Sequence, residues 1–265
     1  MTSLLETENA DNFSDKDKIL LENILKKTGP SRIKYALGAG SIITAVLTVW
    51  LGLFVTPNDE HLGDTVRLLY VHPPVAWAAL YLAFGTTTLA SLLWLWPKTR
   101  SFFWDKVAGA SAEIGVLYLA LTLITGSIWG RTTWGVWWTW DARLTLTAVL
   151  LVLYVAYLAI RQLDGTSKAK ATRNAITALF AAIDVPIVHF SVLWWNTLHQ
   201  TASVLTPGLH LTVPLSMGLT MGLGFLCTTL IWGWMMKARY DIELLKAVTG
   251  EMESQRAILQ RRSEL

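Results

Sequence analysis

Residues Trp129–Arg143 read WGRTTWGVWWTWDAR, and five of the chain's 14 tryptophans fall there: Trp129, Trp134, Trp137, Trp138 and Trp140. The stretch lies between two long apolar runs, which places it at a membrane surface. Interfacial tryptophans are expected at both faces of a bilayer, and that accounts for Trp50, Trp94, Trp96, Trp232 and Trp234. It accounts poorly for the pattern W-G-x-x-x-W-G-x-W-W-x-W. Gly130 and Gly135 let the backbone bend or approach a ligand closely. A row of indoles is a platform for a flat aromatic molecule, each stacked pair adding about 0.5–1.5 kcal/mol beyond area burial.

The rest of the chain sets that stretch in a membrane. Of 265 residues, 53% are hydrophobic and 15% charged, with mean hydropathy +0.42. Soluble domains carry roughly 25% charge. A helix crosses hydrocarbon with about 20 mostly apolar residues. Six stretches qualify, at about 35–55, 75–96, 107–128, 144–163, 175–195 and 211–236. They are too long and too continuously apolar for barrel strands. The reading is an all-α polytopic membrane protein with six transmembrane helices. It comprises an N-terminal segment 1–34, a membrane domain 35–236 carrying the Trp-rich loop 129–143, and a C-terminal tail 237–265. The tail looks helical but is not apolar enough to span.

The pI near 9.0 does not signal nucleic acid, because the basic residues flank the spans without interleaved aromatics. All but three of the 22 Lys and Arg fall in the N-terminal segment, the loops after spans 2 and 4, and the tail. Cytoplasmic loops carry this excess. Both termini are therefore expected in the cytoplasm, with the loops after spans 1, 3 and 5 facing outward. Arg67, Arg131 and Arg143 are the exceptions, all in outward loops. The lone Cys227, inside span 6, excludes an intramolecular disulfide, a CxxC pair and a CxxCH haem attachment. The polar, acidic start lacks the apolar run of a signal peptide. Residues 15–27, DKDKILLENILKK, fit either a short amphipathic helix on the inner surface or an unstructured tail.

All five histidines fall on or near the outer side. His61 and His72 precede span 2, His189 lies in the outer half of span 5, and His199 and His210 follow it. They are either unrelated interfacial residues or, in part, metal ligands. Zinc wants three or four ligands at regular spacing, and no HxxH, HExxH or cysteine cluster is present. Haem iron needs one or two axial ligands and flat apolar surface around the porphyrin, so histidines beside a tryptophan platform suit haem better. Asp141 is a suitable N-cap for span 4. Arg131 and Arg143 could fork onto the propionates of a haem, or pair with Asp141, Asp59 or lipid headgroups. Glu113 and Asp184 are acids within spans, and such groups are functional candidates. Structural hydrogen bonding and proton relay both remain open for them. Pro186 just after Asp184 predicts a kink.

WGxxxWGxWWxWDARLT, six spans, VHPP before span 2 and IVHFSVxWWNTLHQ after span 5 together resemble the CcmC family of cytochrome c maturation. Its tryptophan-rich motif, the WWD domain, corresponds to Trp129–Thr145. The resemblance covers residues 35–236. It implies that haem b, as transient cargo, is held at the periplasmic face of the bacterial inner membrane. It also implies axial ligation by His72 and His199, with Trp129, Trp134, Trp137, Trp138, Trp140, Asp141, Arg131 and Arg143 around the macrocycle. The partners implied are the haem chaperone CcmE, the small protein CcmD, the ATP-binding-cassette pair CcmA and CcmB, and membrane lipid. The role is binding and handover, not catalysis. Two other classes stay open: a cytochrome b-like electron-transfer subunit, which would want histidines near both faces, and a secondary transporter working through Glu113 and Asp184. No GxxxxGK[ST] loop is present, so ATP hydrolysis would come from a partner.

Overall fold

The computed structural model describes residues 19, 22, 23, 25, 26, 28, 29, 31–199 and 213–263. Among them the regular structure is helical, apart from one isolated bridge between Asp59 and Gly63. Six stretches are long and apolar enough to cross a membrane: Arg32–Phe54, Asp64–Leu95, Phe102–Trp134, Ala142–Arg161, Ser167–Trp194 and Leu215–Lys246. Most begin or end beyond the apolar windows of the sequence. Hydropathy marks the hydrocarbon crossing, while the backbone stays hydrogen-bonded in helix for as long as nothing stops it.

The helices are α1 (Arg32–Phe54), α2 (His72–Trp77), α3 (Phe84–Leu95), α4 (Phe102–Trp134), α5 (Ala142–Arg161), α6 (Ser167–Ala182), α7 (Asp184–Trp194) and α8 (Leu215–Ser263). A 3₁₀ segment, Asp64–Tyr70, leads into α2, and a π-helical turn, Ala78–Ala83, joins α2 to α3. Pro73 and Pro74 occupy the first turn of α2, where missing N–H groups cost nothing. Local chemistry sets the other ends. Ser101, Asp141 and Thr166 cap α4, α5 and α6 by accepting backbone N–H bonds. Gly135, at φ 77°, stops α4 in the left-handed conformation that glycine tolerates best. The proline kink falls where expected. Pro186 has no N–H for the Ala182 carbonyl, and α6 ends at Ala182 with α7 starting at Asp184. Asp184 is buried beside that break, and its Oδ2 has no hydrogen-bond partner among the described residues.

The chain divides into two compact units. In the larger, Ala36–Met236, small residues bring helices together: Ala78, Ala79, Ala83, Ala112 and Ala178 are fully buried. Close approach through small side chains is the usual way membrane helices pack. Phe84 stacks on Tyr154 with ring centroids 3.6 Å apart, and Gly115 leaves the space in which Phe84 sits. Ile42, Val46, Val152 and Leu219 lie uncovered on the outside, as lipid-facing side chains would. At the end of the bundle holding the α3–α4 turn, Arg161 grips both Asp105 oxygens at 2.9 and 3.4 Å and donates to Tyr157 Oη at 3.1 Å. Asn174 donates to the same Asp105. Glu113 lies within electrostatic reach of Tyr157.

The smaller unit comprises Met1–Tyr35 and Lys237–Leu265. Within it the buried Asp241 is held between Lys34, at 2.5 Å, and Lys237. The helix suggested for 15–27 is described only at scattered positions, which are helical; its remaining residues lie outside the described ones.

Candidate functional site

The C-terminal turns of α4 form the floor of the candidate site. Thr125 and Trp129 form one row along the helix at a spacing of four residues, and Gly126, Gly130 and Trp134 form the row beside it. The helix runs through Trp129 and Trp134. Only residues 135–141 therefore form the loop that the sequence suggested for 129–143. The physical reason is the position of the first left-handed glycine: Gly130 is helical and buried, and Gly135 is the stop. Arg131 donates to the Gly135 carbonyl and so secures that last turn.

The two histidines expected to act as ligands each meet one tryptophan of this helix edge-on. His72 is 5.7 Å from Trp129 between ring centroids, at 87°. His199 is 5.0 Å from Trp134, at 68°. They come from different elements: His72 opens α2, and His199 follows the end of α7. The two imidazoles are near enough that charge on one is felt at the other. His72 Nδ1 lies 3.0 Å from Thr125 Oγ1. Trp129 also packs on an apolar cluster of Val66, Leu69, Tyr70, Met217 and Met221.

Asp141 ties three segments together. Its Oδ1 accepts the Leu144 N–H at 2.8 Å, which is the cap, and its Oδ2 accepts the Leu198 N–H at 3.1 Å. The same Oδ2 is 3.7 Å from His199 Nδ1, beyond a hydrogen bond. Arg143, two residues on, donates to the His189 carbonyl at 2.8 Å, and its charge reaches His72, His189 and His199. Burial, with Arg143 nearby, holds the His199 imidazole below the usual histidine range, against the opposing pull of Asp141. Its neutral form, the one able to bind a metal, is favoured.

Four buried polar atoms here have no hydrogen-bond partner among the described residues: Trp138 Nε1, Thr139 Oγ1, Arg143 Nε and His199 Nδ1. Unsatisfied buried groups are uncommon and call for an explanation such as an absent ligand. These fit a haem: donors suit propionate oxygens, imidazoles suit iron, and indole faces suit the macrocycle.

The remaining candidates are less enclosed. Trp137 and Trp140 are 60% and 83% exposed, and Trp138 packs edge-on to Trp140 at 5.6 Å. His61 is exposed, its backbone N–H held by Asp59. His189 is exposed and bonded through Nδ1 to Tyr81 Oη at 2.5 Å. His210 lies outside the described residues. Among the described residues no three His, Cys, Asp or Glu side chains converge as a metal cluster. Thr125, Gly126 and Tyr81 were not singled out from the sequence. The four-residue spacing of Thr125 from Trp129 was the available signal for the first. Nothing local pointed to Tyr81.

A family model described as Heme exporter protein C matches residues 25–255. A Heme exporter protein C of Bradyrhizobium diazoefficiens is 40% identical over 169 residues, covering 62% of each chain. Its Haemophilus influenzae namesake is 35% identical over 209 residues, 77% of this chain and 81% of its own length. A putative cytochrome c biosynthesis ccmC-like mitochondrial protein of Arabidopsis thaliana is 35% identical over 188 residues, 70% and 69% of the two chains. With six candidate spans and a family match across most of its length, the chain belongs to the heme exporter protein C family, CcmC.

Proposed function

We propose that this protein binds haem b between His72 and His199 at the periplasmic face of the inner membrane and hands it to the haem chaperone CcmE for cytochrome c maturation. The observation that carries the proposal is the approach of two imidazoles from separate elements to the last turns of one helix, α4. Each sits against a tryptophan of that helix, with unfilled donors around them. Bound haem would bring the iron and macrocycle; the chain brings neutral imidazoles, flat apolar walls and cationic donors. Arg143, with spare guanidinium N–H groups, is placed to take a propionate. Arg131 is spent partly on the Gly135 carbonyl. Trp129 and Trp134 would form the enclosed part of the platform, and Trp137, Trp138 and Trp140 its outer margin.

The proposed topology puts both termini in the cytoplasm, as the distribution of Lys and Arg supports. Partners would be CcmE, CcmD and the CcmA–CcmB transporter. The role is binding and transfer without turnover: no nucleotide-binding loop is present in the sequence, so energy for release would come from the ATP-binding-cassette partners.

The test is the absorption spectrum of detergent-purified protein co-expressed with CcmE, beside a His72→Ala/His199→Ala double variant. A low-spin haem b spectrum in the wild type that is lost in the variant supports the proposal. Equal low-spin spectra in both would remove these histidines as ligands. Absence of haem from both would move weight to a transporter built on Glu113 and Asp184.

A further inference from the structure

We infer that Thr125 is a positioning residue whose hydroxyl holds the His72 imidazole in the tautomer protonated on Nδ1, so that Nε2 is the nitrogen offered to haem iron. The inference rests on the reading of His72 as an axial ligand.

Thr125 Oγ1 lies 2.8 Å from the Leu121 carbonyl and 3.2 Å from the Thr122 carbonyl, one turn back along α4. A carbonyl can only accept, and a hydroxyl has a single proton. That proton is committed to the helix backbone, so Thr125 Oγ1 meets His72 Nδ1, 3.0 Å away, as an acceptor. Nδ1 must then carry the hydrogen. A neutral imidazole has one N–H, which leaves the lone pair on Nε2.

The ring is fixed in place as well as in protonation. A Cβ at Gly126 would stand 3.0 Å from His72 Cε1, tighter than ordinary van der Waals contact. A glycine there gives the imidazole its seat against α4, and Trp129 meets it edge-on from the next turn. Thr125, Gly126 and Trp129 thus hold a side chain that comes from 53 residues earlier. Metal-binding histidines are generally oriented by a partner on the other ring nitrogen. His199 has a different one within range, the Asp141 carboxylate at 3.7 Å. The two proposed ligands are therefore unlike: a hydroxyl already bonded stands behind one, a carboxylate not yet bonded behind the other.

The experiment uses the full-length detergent-purified protein with haem as the probe. Thr125→Val keeps the shape and removes the oxygen; Thr125→Ser restores it. Haem retention is followed by transfer to an excess of a haem-scavenging globin. ¹⁵N-histidine spectra of the haem-free protein report the tautomer directly. Thr125→Val should release haem on the order of tenfold faster, add a high-spin component, and mix the His72 tautomers. Thr125→Ser should return all three readouts to wild type. A His72→Gly variant, with and without added imidazole, tests the underlying ligation. If it loses the low-spin spectrum and regains it with imidazole while Thr125→Val is indistinguishable from wild type, the Thr125 role is overturned and ligation stands. If His72→Gly keeps the wild-type spectrum, ligation by His72 fails, and this inference with it.

Discussion

Two arginines at opposite ends of α5 show how differently a membrane bundle can use one side chain. Arg161, the last residue of the helix, is engaged by several partners. It bonds both oxygens of Asp105 and the Tyr157 hydroxyl, and Tyr157 also lies 5.7 Å beneath its guanidinium carbon as a cation–π partner. Gly109 leaves the space its guanidinium occupies. Arg143, the second residue, makes a single bond to a backbone carbonyl and keeps its Nε buried without a partner among the described residues. The first is a shared ion pair that joins α4, α5 and, through Asn174, α6. The second is open, and open buried valences cost free energy unless something fills them. The difference separates an ion pair that ties three helices together from an arginine that keeps a buried donor without a partner among the described residues.

The comparison predicts that the two arginines fail in different ways. Arg161→Leu strands the Asp105 charge, and breaking one partner of a buried pair costs about 3–5 kcal/mol. The expected result is a sharp fall in folded yield and thermal stability in detergent. Haem content per folded molecule should stay near that of the wild type. Arg143→Leu should do the reverse, leaving yield and melting nearly unchanged while haem retention collapses. Equal losses of stability from both would end the distinction drawn here.

A smaller contrast is expected within the tryptophan stretch. Trp129→Ala or Trp134→Ala should lower haem retention more than Trp137→Ala or Trp140→Ala, measured as haem bound per protein after gel filtration. The first two face the histidines, whereas the other two are largely exposed. A dominant effect at Trp140 would shift the platform to the outer margin. Gly126→Ala should be intermediate, since the added methyl presses on His72, and its signature would be a changed spin state with normal thermal stability.

The subtlest effect concerns pH. Burial and the nearby Arg143 lower the His199 pKa, so the folded protein keeps this imidazole neutral where an unfolded chain, near 6.5, takes a proton. The contribution of His199 to stability is therefore complete above the ordinary histidine range. It is lost as pH falls from there toward the depressed folded value. Asp141→Asn should lower the His199 pKa further, because Asp141 opposes the shift. Arg143→Gln should raise it. Histidine NMR titration of the haem-free protein measures both, and an opposite order of the two variants would contradict the placement of these charges around His199.

The legible part of this protein was the part governed by local composition. Six apolar runs predicted six helices, because a backbone in hydrocarbon has no other open-ended way to satisfy its hydrogen bonds. Asp141 as a cap, the Pro73–Pro74 helix start and the Pro186 break were also readable, since each depends on the chemistry of a few consecutive residues. The end of α4 was misplaced by several residues. Tryptophan density suggested a loop from 129, and only the backbone angle at Gly135 shows where the helix stops.

Tertiary structure decided what no spacing in the chain encodes. It chose which arginine would be paired, setting Arg161 against Asp105, 56 residues away, and leaving Arg143 open. It brought His72 to Thr125 and His199 to Trp134 across separate spans. The sequence by itself determined that the chain enters a membrane, and it set five tryptophans in one short stretch, Trp129–Trp140. Which of those groups meet depends on how helices of fixed length pack through their small residues. That packing is a property of the whole bundle, summed over many weak contacts, and no one segment carries it.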